Sequence, residues 1–438
     1  MTTRRAAAPR LGEDAGAALR LDRRGATLLV VGGATVFVIA ALWLVPWSWV
    51  PGGRLTPMPV ADLFTAEEVR RAEEFSELRR WLGWSSYGLS LLLALLLGLT
   101  PLGARLTRRL LGRLRWWLSV PLSVVVLLVV GRLATLPLSL RLRQQNLDYG
   151  LTRQSLPDWF ADVGRSLLVS TVITSLLVLV LVALARRWPR RWYVGAAVAV
   201  VVLSFAGSLL YPVLVEPLFN RFTSMPAGTF KTSVLGLAER EGVRVDDVLV
   251  ADASRRTTTL NAYVSGIGGT RRVVVYDTLL DGLGPEEARV VIAHELAHAK
   301  HEDVLVGTTL GALGGVVGVG VLALLLDSAW VRRRSDTDGP ADPAVAAAVL
   351  ALVAVGGLLS SPVTNTVSRA IEARADRVSL AVTGDGQAFI GMQRRLALEA
   401  LHDPTPPAWS QFWFGSHPTV LQRAGLPASL AEAAEAGE

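Results

Sequence analysis

Val291-Ile292-Ala293-His294-Glu295-Leu296-Ala297-His298-Ala299-Lys300, followed almost at once by the near-unbroken apolar run 305–326, decides how this chain is read. The first stretch has no Gly or Pro and is apolar apart from its ends and its motif, so it reads as a helix. At about 3.6 residues per turn, His294 and His298 stand on one face. Two imidazoles so placed can share one tetrahedral Zn²⁺, and Glu295 beside them can act on a water at the metal. The second stretch is long enough to cross a bilayer. Together they point to metal-assisted hydrolysis carried out at a membrane.

Composition supports this. The chain has 438 residues, 51% hydrophobic and only 18% charged, against about 25% charged in soluble domains. Mean hydropathy is +0.41. Cysteine is absent, which removes disulfides, thiolate metal ligands and a thiol nucleophile. Only five histidines are present, and two of them fall in the motif. The net charge of +7 is carried almost entirely by arginine, the lysines being Lys231 and Lys300, a composition typical of a GC-rich genome. The arginines cluster between apolar runs, where they fit juxtamembrane anchoring and not nucleic-acid binding.

Residues 1–26 are rich in Ala and Arg without an apolar period and read as a disordered tail. Apolar runs follow near 27–50, 82–102, 117–138, 166–184, 193–213, 305–326 and 344–363, about seven spans by length. The third contains Arg132 and Pro137. Arg132 belongs either against other helices and water or at the membrane surface. The tail and the loops near 105–115, 186–191 and 332–334 share one side and hold about 18 arginines. The short loops opposite hold about nine, or about 14 with residues near the ends of the polar segments. That margin does not fix the orientation. Two polar regions stand apart, an insertion at 214–304 between the spans of 27–213 and 305–367, and a C-terminal region at 368–438. The insertion reads as a helix near 227–241 and strands at Asp247–Ala251, 260–264 and Arg272–Tyr276, with a turn at 265–270. Pro285-Glu286-Glu287 then opens the motif helix, its proline and carboxylates suiting a first turn.

Two histidines leave a metal site incomplete. His301 follows His298 too closely and without a further Gly-x-x-His, so it reads as a helix-end residue. Glu372, in Ser368-Arg369-Ala370-Ile371-Glu372-Ala373-Arg374-Ala375-Asp376, lies where the last span could continue as a helix. Asp376 is one turn on, placed to hold the free N–H of a ligating imidazole. The alternative for this segment is a solvated helix with Arg–Glu pairs. His417, in Gly415-Ser416-His417-Pro418, is a loop donor that could meet an oxyanion, or a surface feature. His402 reads as surface. A strand through Asn261-Ala262-Tyr263 near the motif helix could pair with an extended peptide, or be a core strand.

These residues in this order resemble the M48 metallopeptidases, specifically the Ste24-type CAAX prenyl proteases. The resemblance rests on Tyr149–Ser155, Glu216-Pro217-Leu218-Phe219-Asn220, Ser254-Arg255-Arg256 with Asn261-Ala262-Tyr263, Val274–Leu280, the two metal motifs, and Ser416-His417-Pro418. It implies a predominantly α-helical integral membrane protein whose spans enclose a chamber. It also implies a zincin-like α+β domain formed by the insertion and the C-terminal region. One Zn²⁺ per chain is implied on His294, His298 and Glu372, with Glu295 as base, Asp376 behind a ligand, His417 and Arg423 beside the oxyanion, and Asn261, Ala262 and Tyr263 aligning the peptide. The partners implied are the lipid bilayer and a peptide or protein substrate, membrane-associated or lipidated forms included, with no nucleic acid. The alternatives are an HtpX-like quality-control protease, usually with fewer spans, and an inactive membrane scaffold.

Overall fold

The computed structural model describes residues 21–50, 55–266 and 271–436. Seven helices among the described residues are long and apolar enough to cross a membrane. They are α1 (Arg23–Leu44), α2 (Ala66–Gly98), α4 (Trp116–Asp148), α5 (Leu156–Arg187), α6 (Trp192–Leu214), α9 (Asp303–Asp327) and α11 (Ala346–Thr383). Within their most apolar windows only 0–39% of residues are covered by protein. So much bare Leu and Val is stable only against lipid tails.

The helices outrun the apolar runs where capping and charge pairing continue them. The expected tail lies outside the described residues up to 20. From Arg23 the chain is already helical, because Asp22 accepts from the Gly25 N–H at 3.0 Å. α2 begins at Ala66 because Thr65 and Glu68 form a reciprocal cap, and Arg70 bridges Glu67 and Glu74 on its solvated first turns. It also stops earlier than the apolar pattern, at Gly98. There it packs so closely on α11 that a Cβ on Gly98 would lie 2.3 Å from the Ala347 carbonyl oxygen. Thr100 then caps a separate amphipathic helix, α3 (Pro101–Leu111). α4 accommodates Pro137 and runs on to Asp148. Arg132 within it is half-buried and bonds Ser139 Oγ, 3.3 Å away and two turns nearer the Asp148 end. The membrane core is lined by small and branched residues such as Val120, Val124, Val182, Ala323 and Ala347 around the buried Trp192.

The insertion forms a four-stranded sheet of β1 (Phe222–Ser224), β2 (Asp247–Ala251), β3 (Ala262–Ser265) and β4 (Arg272–Tyr276), in the order β1-β2-β4-β3. β2 and β4 run parallel, and the outer strands are antiparallel. α7 (Thr229–Glu241) and the motif helix α8 (Pro285–Lys300) pack on it. Val273 and Val275 of β4 meet Ile292 and Leu296 of α8, with Leu237, Phe389 and Met392 closing the core. Strand β3 starts later than the pattern predicts, at Ala262 and not at 260. Leu260 is held at Gly282, where a Cβ would come within 2.6 Å of its Cδ2. Thr258 and Thr259 bond outward, to Leu151 and Thr278. The expected turn at 265–270 is described only for Ser265 and Gly266; residues 267–270 lie outside the described residues. α11 is one continuous helix through the span and into the polar domain, ended by Gly384 at φ +66°.

Candidate active site

α8 starts at Pro285, and the Glu287 carboxylate accepts from the Gly284 N–H at 3.3 Å. Its apolar face is locked into the sheet, so His294, Glu295 and His298 project from a helix with no freedom to roll. α11 brings Glu372 against them. The Nε2 atoms of His294 and His298 lie 3.1 Å apart. Glu372 Oε2 is 3.3 Å from His294 Nε2, and Oε1 is 3.6 Å from His298 Nε2. Bonds of about 2.0–2.1 Å, as imidazole and carboxylate make to zinc, put tetrahedral donors roughly 3.3 Å apart. The observed edges match. Glu372 Oε2 is buried without a hydrogen-bond partner among the described residues, a lone pair free for a cation. The three residues are a candidate metal group, and their donors fit a divalent ion.

Two arginine–carboxylate pairs stand behind the imidazoles. Asp376 Oδ1 is 2.9 Å from His294 Nδ1, although the ring N–H is poorly aimed at it. Arg423 forks onto Asp376 through Nε (2.8 Å) and Nη2 (2.6 Å). Arg423 is expected beside the oxyanion with His417. In the structure two of its nitrogens are engaged with Asp376, behind the His294 imidazole. The second pair has no counterpart in the sequence reading. Asp303 Oδ2 lies 2.9 Å from His298 Nδ1, and Asp303 is itself paired with the buried Arg374. Glu302, at φ +56°, makes the left-handed turn between α8 and α9 that swings Asp303 back onto His298. The available signal was a lone aspartate just before span six and an arginine between Glu372 and Asp376; both pass for solvated helix charges in sequence.

Burial pulls the His294 pKa down, but the Asp376 and Glu372 carboxylates outweigh it and push it up to about 10, so the site stabilises positive charge at this point. Burial raises the Glu295 carboxyl, opposed by the neighbouring histidines. Glu295 is half-buried and lines a cavity of about 1400 Å³ that also touches His298, Glu372 and Tyr263. The cavity descends between α1, α6, α9 and α11 past Phe37, Val200 and Gly311.

His417 arrives from the loop after α12 (Ala408–Phe414), its Nε2 3.3 Å from Glu372 Oε1. Gln411 holds its carbonyl at 2.6 Å, and Arg369 bonds the Gly415 carbonyl at 2.6 Å. Surrounding protein lowers its pKa although the ring remains open to the cleft. β3 is an edge strand packed beside α8. Ala262 points into the core, and Tyr263 donates to Glu216 at 3.3 Å. Asn261 lies just before the strand, exposed, its carbonyl accepting from the Tyr276 N–H. His301 caps α8 with its ring against Trp49. His402 is exposed, yet burial of its surroundings and then Arg79 and His417 push it down to about 4.

A hydrolytic metal motif set into a bundle of membrane helices defines the class: a membrane-integral metallopeptidase. Comparison with known proteins makes it particular. Residues 225–425 match the model of peptidase family M48, and residues 53–221 match the CAAX prenyl protease N-terminal model, five membrane helices. The "Uncharacterized metalloprotease YhfN" of Bacillus subtilis is 27% identical over 90% of this chain and 95% of its own length. The CAAX prenyl protease 1 of Saccharomyces cerevisiae is 30% identical, over 34% of this chain and 33% of the yeast protein. The crystal structure of S. mikatae Ste24p shares the fold, with a TM-score of 0.75 at 19% identity over 92% of this chain and 98% of that one. The chain belongs to peptidase family M48, as a multi-pass membrane metallopeptidase of the Ste24 type.

Proposed function

We propose that the chain is a zinc-dependent endopeptidase that cleaves peptides presented at the membrane. The observation that carries this is three donors, from His294, His298 and Glu372, spaced 3.1–3.6 Å apart beside Glu295 at the end of an intramembrane cavity. Zinc held by these three residues would supply Lewis acidity to the attacking water and the scissile carbonyl. Glu295, its carboxyl raised by burial, takes the water proton and returns it to the leaving amine. His417, its Nε2 3.3 Å from Glu372, donates to the developing oxyanion. Asp376, clamped by Arg423, and Asp303, clamped by Arg374, fix the tautomer and tilt of the two imidazoles. The edge of β3 offers unpaired backbone groups to an extended peptide, with Asn261, Ala262 and Tyr263 setting its register.

Among substrates, lipidated peptides are favoured. The cavity beneath the donors is lined mainly by apolar side chains and runs between the membrane helices, so a hydrocarbon chain attached near the scissile bond finds a place there. The relatives named as CAAX prenyl proteases support the same class. The seven spans favour this over an HtpX-type quality-control protease with fewer. The test is cleavage by the detergent-purified protein of matched peptides with and without a farnesyl thioether, read by mass spectrometry. Faster cleavage of the lipidated peptide supports the reading. Equal rates remove the lipid from it, and cleavage of misfolded membrane proteins alone transfers the protein to the quality-control class.

A further inference from the structure

The membrane end opposite the metal site carries an unusual charge surface. The α2–α4 connection (with α3), the α5–α6 hairpin, the α9–α11 connection and the start of α1 all end there. Among the described residues these segments expose fourteen arginines and no lysine, against five aspartates. Three of the arginines have a carboxylate partner: Arg23 with Asp327 at 3.0 Å, Arg108 with Asp336 and Asp342 at 2.9 and 3.2 Å, and Arg191 with Asp22 at 3.5 Å. The rest have none among the described residues.

The segments form one surface. Arg108 of α3 ties to the 336–342 loop that follows α10 (Ala329–Ser335), and Arg186 of α5 bonds the Ala341 carbonyl at 2.9 Å. α3 is anchored through Gly103, Ala104 and Thr107, while Arg105, Arg108 and Arg109 face outward. Aromatic rings sit among the guanidinium groups. Arg186 lies 5.2 Å from the Trp116 ring, Arg187 5.4 Å from Trp188, and Arg334 5.9 Å from Trp330. At the same level Leu110 is 60% and Trp330 53% exposed.

We propose that this face is a collar for anionic phospholipid headgroups, with α3 lying in the headgroup layer. Free arginines supply forked donors to phosphate. The interleaved tryptophans and leucines reach the acyl boundary, as interfacial anchors do. That apolar admixture selects lipid over nucleic acid, whose phosphates would leave Leu110 and Trp330 in water. Arginine paired to aspartate at three points holds the connections in register, and the unpaired remainder faces the lipid.

The test uses the purified full-length protein in neutral detergent with added phosphatidylglycerol or phosphatidylcholine, reading lipid retention by native mass spectrometry and the thermal midpoint. Phosphatidylglycerol is retained and raises the midpoint by several degrees, phosphatidylcholine does neither, and about 0.5 M salt removes the effect. Each headgroup-facing arginine contributes about fivefold in affinity. Arg105→Gln, Arg109→Gln and Arg113→Gln combined therefore lose roughly 100-fold. Arg240→Gln with Arg244→Gln, on the metal-bearing side, loses nothing. Equal retention of the two lipids, full retention by the triple variant, or tighter capture of a short RNA than of phosphatidylglycerol overturns the proposal.

Discussion

At the scale of residues, the two imidazoles are held by unlike partners, and this makes separable predictions. Asp303 touches His298 alone among the proposed ligands and is buried with Arg374. Asp303→Asn removes the charge but keeps the volume. It weakens metal binding by about 10–100-fold, measured by competition with a chromophoric chelator, and turnover recovers when metal is added in excess. An unchanged dissociation constant contradicts the role given to Asp303. Arg374→Met leaves that carboxylate buried without its cation, so it destabilises the fold by about 3–5 kcal/mol, a loss visible as a lower thermal midpoint. His294, Glu295 and His298 were legible in sequence because helical spacing is a local fact; Glu372 was a candidate from its place at the end of an apolar run, and the resemblance chose it over a solvated helix. Asp303 and Arg374 were not, because their meaning lies in a left-handed turn at Glu302 and in contact between two helices far apart in the chain. Arg423 was found by resemblance but its clamp on Asp376 was not, since a guanidinium's direction is set by its carboxylate partner and not by spacing.

At the scale of elements, α8 is fixed by the core beneath it. Leu296 is fully buried between the helix and the sheet. Leu296→Ala costs about 2–5 kcal/mol and loosens both histidines, so its metal affinity falls with its stability. α7 ends on Glu241, buried, with neither carboxylate oxygen bonded among the described residues. Burial pushes its pKa up to about 7, against a weaker pull from Lys300. A carboxyl raised in the folded state contributes most below its unfolded pKa, about 4.3, and that stability is lost as pH rises through about 7. Glu241→Gln therefore raises stability at pH 8 by about 2 kcal/mol and leaves pH 5 nearly unchanged. Melting curves at the two pH values check this, and a variant that gains equally at both contradicts it. Strands β2 and β4 were plain from their valine runs. β3 started two residues later because the outward backbone bonds of Thr258 and Thr259 and the docking of Leu260 compete with strand pairing, which no alternation pattern reports.

At the scale of the whole molecule, the seven spans followed from hydropathy alone, but their true lengths did not. Charged first turns such as those of α2 continue a helix that the apolar pattern ends, and α11 joins membrane and metal domain as one rigid element. That continuity sets Glu372 relative to the bundle and puts the donors at the mouth of an apolar cavity, a feature composition does not report. The account stands on the use of that metal group by Glu295. Its most direct test is Glu295→Gln, with metal content by elemental analysis and peptide turnover measured on the same preparation. Glu295 touches the cavity and, among the described residues, makes no hydrogen bond to a proposed ligand. The account predicts one zinc per chain, as in the wild type, with turnover lowered by at least about 100-fold. Near-normal turnover with the metal retained would contradict it.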